Sequence, residues 1–342
     1  MNVLISMTLA LIIWSLYPLA AVYGLESMNY MEIIFYVYLW AAIGSTIICF
    51  VYLALSKRLR QTWEIQRSLP FKAYGPAFLS GLFAGGSHAL FIISLTMTDK
   101  AAASLLFEAW PVIALVATPL LMKKKWKKVS FKEFCLGGFA LLGVVIVILS
   151  DEKLFSNVQG GASDLSQMLD IKQLGGYILA FLGGYLTALF VLLRGVYAQN
   201  FSALNNGIAS SLISEFVSRV LGFFFFFIVY FIFQDMIGLE NFQNDVFSLP
   251  LIFIGGGIFV IGGMLFTYSI LNANSPTIHI ICYLIPIFAV IWLCLMGKST
   301  LGIGLIIGSV IVVGSNIALY FSQKSADFDE DLEDDLYKIH NR

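Results

Sequence analysis

The sequence predicts an all-α polytopic membrane protein, with ten transmembrane helices arranged as an inverted 5+5 repeat. Three observations lead there. First, 59% of the 342 residues are hydrophobic and 12% are charged, with a mean hydropathy of +0.87. A soluble domain runs at roughly 45–50% apolar and about 25% charged, so this chain calls for lipid as its solvent. Second, ten segments approach the about 20 apolar residues that cross a hydrocarbon core. Third, the second half of the chain repeats the first.

The ten segments are residues 3–23, 30–55, 73–95, 101–121, 133–150, 174–194, 207–233, 250–272, 276–296 and 299–321. The first opens without a basic n-region and is long enough to remain as a span, so it reads as a helix rather than a cleaved signal. Short links, such as Asn272–Ser275, make successive helices antiparallel. Lys57, Arg58, Arg60, Arg67 and Lys72 follow helix 2, and six lysines between Lys123 and Lys132 follow helix 4. The alternate links are acid-leaning: residues 151–173 form one outer loop, and Gln234–Ser248 carries Asp235, Glu240 and Asp245 with no Lys or Arg. Positive charge marks the cytoplasmic side, so both termini are expected in the cytoplasm. The tail, residues 322–342, is a dense acidic run of the kind that is usually solvated.

The repeat appears on a shift of 175 residues. Gly81, Leu90, Phe91, Ser94, Pro111 and Ala114 then meet Gly256, Leu265, Phe266, Ser269, Pro286 and Ala289. Shortening the next loop by four residues brings Gly137 and Gly143 onto Gly308 and Gly314. The units are residues 1–150 and 174–321. Five helices is an odd number, so the second unit enters the membrane with opposite polarity. Inverted repeats are a signature of secondary transporters.

Several function classes drop out. A net charge of −1 favours no nucleic-acid partner. Cys49, Cys135, Cys282 and Cys294 lie in apolar runs without metal or disulfide spacing, so no metal or cofactor is expected. No HExxH, paired intramembrane aspartates or Ser/His arrangement suggests a membrane enzyme. The expected partners are a small-molecule substrate and the bilayer; the oligomeric state is left open.

Within LLFEAWPVIAL, residues 105–115, Glu108 stands in an apolar run and Pro111 follows. Pro111 cannot donate to the carbonyl of Phe107, and Pro286 likewise frees that of Cys282. Such carbonyls must face protein or a wet cavity, so both prolines are read as helix kinks; packing kinks alone would also explain them. Glu108 costs at least ~2.5–3.5 kcal/mol to insert, and such residues mark function. Counting ~1.5 Å per residue, Glu108 and His88 lie about 10 Å below the outer boundary, with Arg219 at nearly the same level. Glu215 precedes Arg219 by one turn, the favourable order for an ion pair. Arg219 suits a substrate carboxylate or phosphate, while Glu108 with His88 suits an amine or a coupling proton. The blander readings are a self-neutralised Glu215–Arg219 pair and a core histidine at His88. Trp14, Tyr17, Trp110 and Tyr283, the last at the Glu108 position of the second copy, supply aromatic walls of the kind that line solute pockets. The glycines of helices 3 and 8 are read as close-packing residues.

TDKAAASLLFEAWPVIALVATPLL followed by FCLGGFALLGVVIVIL, with NANSPTIHIICYLIPIFAVIWLCLM and LGIGLIIGSVIVVGSNIAL in the second copy, resembles the drug/metabolite transporter superfamily and its EamA-type ten-helix members. The resemblance implies a central cavity and alternating access, often to export amino acids or other small metabolites from a bacterial inner membrane, sometimes against protons. Lipid-linked sugar flippases belong to the same superfamily. A membrane-embedded sensor or accessory protein using the acidic tail is the alternative outside it.

Overall fold

The computed structural model describes residues 3–110, 131–149, 171–204, 206–237, 249–271 and 284–315, with 317, 318 and 321. Pro111, Tyr283, Cys282 and the acidic tail lie outside the described residues, as does most of the outer loop.

Every regular element among the described residues is helical. In chain order the α-helices are α1 (Val3–Ser15), α2 (Tyr17–Leu25), α3 (Tyr30–Leu55), α4 (Leu59–Ser68), α5 (Gly75–Leu95), α6 (Lys100–Phe107), α7 (Phe131–Leu149), α8 (Ile171–Ala198), α9 (Gly207–Ile237), α10 (Leu249–Ile252), α11 (Gly263–Leu271), α12 (Ile285–Leu295) and α13 (Ile303–Ser315). Short 3₁₀ turns, Phe71–Tyr74 and Gln199–Leu204, lead into α5 and follow α8. A π-helix, Phe253–Gly262, joins α10 to α11. Among the described residues six stretches are long and apolar enough to cross a membrane: Leu4–Leu25, Tyr30–Leu55, Phe71–Leu95, Ile171–Phe201, Gly207–Ile228 and Leu249–Phe266. Shorter apolar helices occupy Gly138–Leu149, Ile285–Leu295 and Ile303–Ser315.

Local chemistry explains where these helices start and stop. Asn29 caps α3 by accepting from Met31 and Glu32 N–H, while the Glu32 carboxylate accepts from Asn29 N–H, a capping box. Asp99 caps α6, accepting from Ala102 N–H. The first span is broken at Leu16, and Pro18 sits in the first turn of α2, where a missing N–H costs nothing. α6 ends at Phe107, four residues before Pro111. Pro286 opens α12 with Leu284 as its cap. The described breaks are thus at Leu16 and at Glu108–Ala109.

The molecule wears its apolar residues outside. Ile47, Val51, Phe78, Leu142, Val310 and Ile303 are exposed, whereas Ser80, Ser218, His88, Glu108, Glu215 and Arg219 are buried. That distribution suits a lipid solvent and a polar interior. Interhelical hydrogen bonds join the interior: Ser80 to Ser218 at 2.9 Å, Trp292 Nε1 to Ser15 Oγ at 3.0 Å, and Ser6 Oγ to the Leu265 carbonyl at 3.1 Å. Bonds of this kind contribute about 0.6 kcal/mol each in a membrane protein.

Neighbour relations recur across the two halves. α5 packs along α8, as α1 packs on α11 and the π-helix; α5 also packs on α9, as the π-helix packs on α3; α6 meets α8, as α12 meets α1. α3 with α9, and α6 with α12, close the bundle. Glycines permit the tightest crossings. A Cβ on Gly81 would fall 2.7 Å from the Ser218 carbonyl and 2.9 Å from Gly222 N, and one on Gly308 would fall 2.6 Å from the Gly143 carbonyl.

Candidate functional site

The broken helices meet around one cavity with about 640 Å³ of space between its walls, part of it open to the mouth. Six of the seven candidate binding residues line it: Glu108, Arg219, His88, Trp110, Trp14 and Tyr17. The seventh, Tyr283, lies outside the described residues.

Each position follows from its element. The break after Phe107 leaves Glu108 as the C-cap of α6, so its side chain leaves the helix wall at the end of a half-helix, 8% exposed. Trp110 neighbours that carboxylate and interacts with it. His88 projects from α5, where its Nδ1 lies 3.1 Å from the Tyr17 hydroxyl. It therefore has a side-chain partner rather than a backbone carbonyl. Its ring lies 4.2 Å from that of Phe259, and Phe91 stacks on Phe107 at 4.3 Å behind it. Trp14 stands at the end of α1, its indole N–H donating to the Ile258 carbonyl at 3.0 Å and its ring 4.5 Å from Phe266.

The charged wall is built from α8 and α9. Arg219 Nε donates to Glu215 Oε1 at 2.8 Å across one helical turn. The other carboxylate oxygen, Glu215 Oε2, pairs with Arg194 of α8. Sequence reasoning missed Arg194, treating it as the end of a span. α8 continues to Ala198, so Arg194 lies a turn inside the helix. One carboxylate thus serves two guanidinium groups. The Arg219 group is sandwiched at 5.2 Å from the Phe190 ring centre and 4.7 Å from Phe259, positions suited to cation–π attraction. Its Nη1 is buried without a partner in full hydrogen-bond geometry among the described residues, and the equally buried Tyr38 hydroxyl lies close enough to interact with the guanidinium.

The opposing wall is the π-helix, contributing Ile258 and Phe259, and Gly263 at its end. Gly263 is the 175-residue counterpart of His88. Sequence reasoning read this span as an ordinary α-helix packed through glycines. Gly255 does pack closely, a Cβ there falling 2.5 Å from the Val37 carbonyl, but the wider π turn also carries the carbonyl that Trp14 uses. Insertions of π-helix recur at functional sites. A second, smaller cavity lies against Glu215, Gly263, Ser45 and Ser211, so Gly263 forms a wall of both. Among the described residues no cluster of His, Cys, Asp and Glu suits a metal ion.

Residues 1–149 match the model of the EamA-like transporter family. The match covers less than half of the chain. The family is part of the drug/metabolite transporter superfamily, and the match together with the apolar all-helical build points to a membrane transporter. Twelve solved chains are similar. One crystal structure, 13% identical, superposes with a TM-score of 0.54 over 92% of this chain and 94% of that one. At that identity the likeness shows the fold. No curated protein matches the sequence.

Proposed function

We propose that this EamA-like protein is a secondary active transporter that exports a small polar or zwitterionic, amino-acid-like metabolite across the cytoplasmic membrane by alternating access, with Glu108 carrying a coupling proton or a substrate amine. The observation that carries the reading is the cavity, with a buried carboxylate at Glu108 and a buried guanidinium at Arg219 whose Nη1 has no partner in full hydrogen-bond geometry among the described residues. Two arginines balanced by Glu215 leave one positive charge in excess on that wall, and a desolvated charge needs a partner. A substrate carboxylate answers it through bidentate recognition. The aromatic faces of Phe259, Trp14 and Phe266 accept the apolar part of a metabolite.

The recurring neighbour relations support two five-helix units of opposite polarity, with both termini in the cytoplasm. Such a pair gives one scaffold two equivalent ways to open. The smaller cavity, which shares Gly263 with the larger one, fits a path that continues past the site toward the second opening.

The test is uptake by proteoliposomes of a panel of isotope-labelled amino acids and simple carboxylates. The wild type should move at least one of them. Arg219→Lys should lower that flux roughly ten- to hundredfold, the value of a charge-assisted hydrogen bond of about 1.5–3 kcal/mol. Glu108→Gln should lower it as strongly or abolish its response to a proton gradient. Full flux in both variants removes the proposed site.

A further inference from the structure

The link between α3 and α5 holds a surface that transport does not use. α3 ends in a Schellman turn, in which Lys57 N–H donates to the Ala54 carbonyl at 3.1 Å and Arg58 N–H to the Leu53 carbonyl at 2.9 Å. Lys57 occupies the left-handed position at φ 56°, a place that favours glycine. The turn carries the chain into α4, a ten-residue helix that is strongly amphipathic in sequence, LRQTWEIQRS.

One face of α4 belongs to the protein. Thr62 is buried, Ile65 packs with Leu69 and Tyr74 around Phe201 and Leu204, and Gln61 reaches the Ala203 carbonyl at 3.5 Å. Arg58 is tied to the Leu204 carbonyl. These contacts fix the orientation of the helix, and they leave a second face open. Leu59 and Trp63, one turn apart, are 43% and 61% exposed, with Phe71 at 92% and Leu55 at 81% beside them. Lys57, Arg67 and Lys72 are exposed around this apolar strip, as is Arg60, whose Nε donates to Glu64 Oε1 at 2.9 Å.

We infer that α4 lies in the membrane interface and binds anionic phospholipid headgroups. The covalent path commits the helix to that depth, because α3 and α5 are both long apolar spans and α4 connects their neighbouring ends. An indole and leucine between arginines is the composition of an interfacial helix, with the apolar face at the acyl boundary and the cations at headgroup level. Charge complementarity names the occupant, since exposed cations beside a bilayer attract acidic lipids. In the orientation proposed above, the helix meets the cytoplasmic leaflet.

The test uses the full chain in vesicles of phosphatidylcholine with or without phosphatidylglycerol, each lipid also supplied in brominated form. The Trp63 signal is the wild-type fluorescence minus that of Trp63→Phe. Brominated phosphatidylcholine should quench it, and brominated phosphatidylglycerol should quench it more, with a relative association of at least roughly fivefold, the factor that one cation contributes near an anionic surface. A variant combining K57Q, R60Q, R67Q and K72Q should keep the first quenching and bring the ratio toward one. Absence of quenching by both lipids would remove α4 from the bilayer. A ratio of one in the wild type, or one unchanged by neutralisation, would overturn the headgroup assignment.

Discussion

Glu215 holds two guanidinium groups on two helices, and this sharing decides how each member of the cluster responds to mutation. Its carboxylate touches Arg194 through one oxygen and Arg219 through the other. Glu215→Gln leaves two buried cations facing each other without a counter-ion. Breaking a buried pair on one side costs about 3–5 kcal/mol, so this variant should show the largest loss of thermal stability in detergent among the site variants. Arg194→Gln removes a charge from an over-positive wall and keeps the Glu215–Arg219 bond, so its loss should be markedly smaller. Equal losses in thermal unfolding would mean that Arg194 is an independent packing residue. Part of this cluster was legible beforehand. Glu215 and Arg219 are four apart on one helix, and a pair so spaced announces itself. Arg194 announces nothing, because an arginine near a span end looks like an ordinary snorkelling residue; only the extra helical turn to Ala198 and the tertiary approach of α8 to α9 bring it inside.

Helices in this fold are defined as much by breaks and small residues as by apolar length. The glycines separate into those that a neighbour's backbone presses upon and those that face open space. Gly81 is pressed by Ser218 and Gly222, whereas Gly256 has nothing within 4 Å of its notional Cβ. Gly81→Ala should therefore force α5 away from α9 and destabilise by about 1–3 kcal/mol, the range for overpacking. Gly256→Ala should be neutral or stabilising by up to about 1 kcal/mol, since it reduces the entropy of the unfolded chain. Midpoints of thermal unfolding for the two purified variants check the contrast, although both glycines hold the same place in the repeat. The shared register was visible in the sequence; the different surroundings were not, because they depend on which partner helix each one meets. The π-helix was not legible, since FIGGGIFVIG carries no signal that separates it from an α-helix.

At the scale of the whole molecule, the question is what holds one end of the bundle shut. The turn after α12, with Gly297 at φ 67°, comes from the second half of the chain and reaches two loops of the first. Lys298 pairs with Glu26 and lies over the Tyr23 ring at 4.5 Å, and Ser299 Oγ donates to Asp99 Oδ2 at 2.7 Å. In the proposed orientation all of these groups sit at the outer face. An exposed ion pair is worth about 0.2–1 kcal/mol and a hydrogen bond about 0.5–1.5 kcal/mol. Together they reach the 1.4 kcal/mol that shifts a two-state equilibrium tenfold, provided that they exist in one state only. Under the proposed alternating access, such ties are weak enough to open in each cycle and strong enough to set the resting population. Combining Lys298→Met with Ser299→Ala should accordingly expose the cavity to the outside more often. With Thr187→Cys as a reporter on the cavity wall and the native cysteines replaced, labelling by an impermeant maleimide should quicken about tenfold. The exchanged pair, Glu26→Lys with Lys298→Glu, should return the rate toward that of the parent. Glu26 raises the pKa of Lys298 above the ordinary lysine value, so the lysine's share of the tie is complete below that value and fades only as pH rises through the raised pKa. Labelling should then be flat across neutral pH. A parent rate already as fast as that of the double variant would place the closure elsewhere, in the aromatic packing of Tyr17, Phe91 and Phe107 that lies between these loops and the cavity.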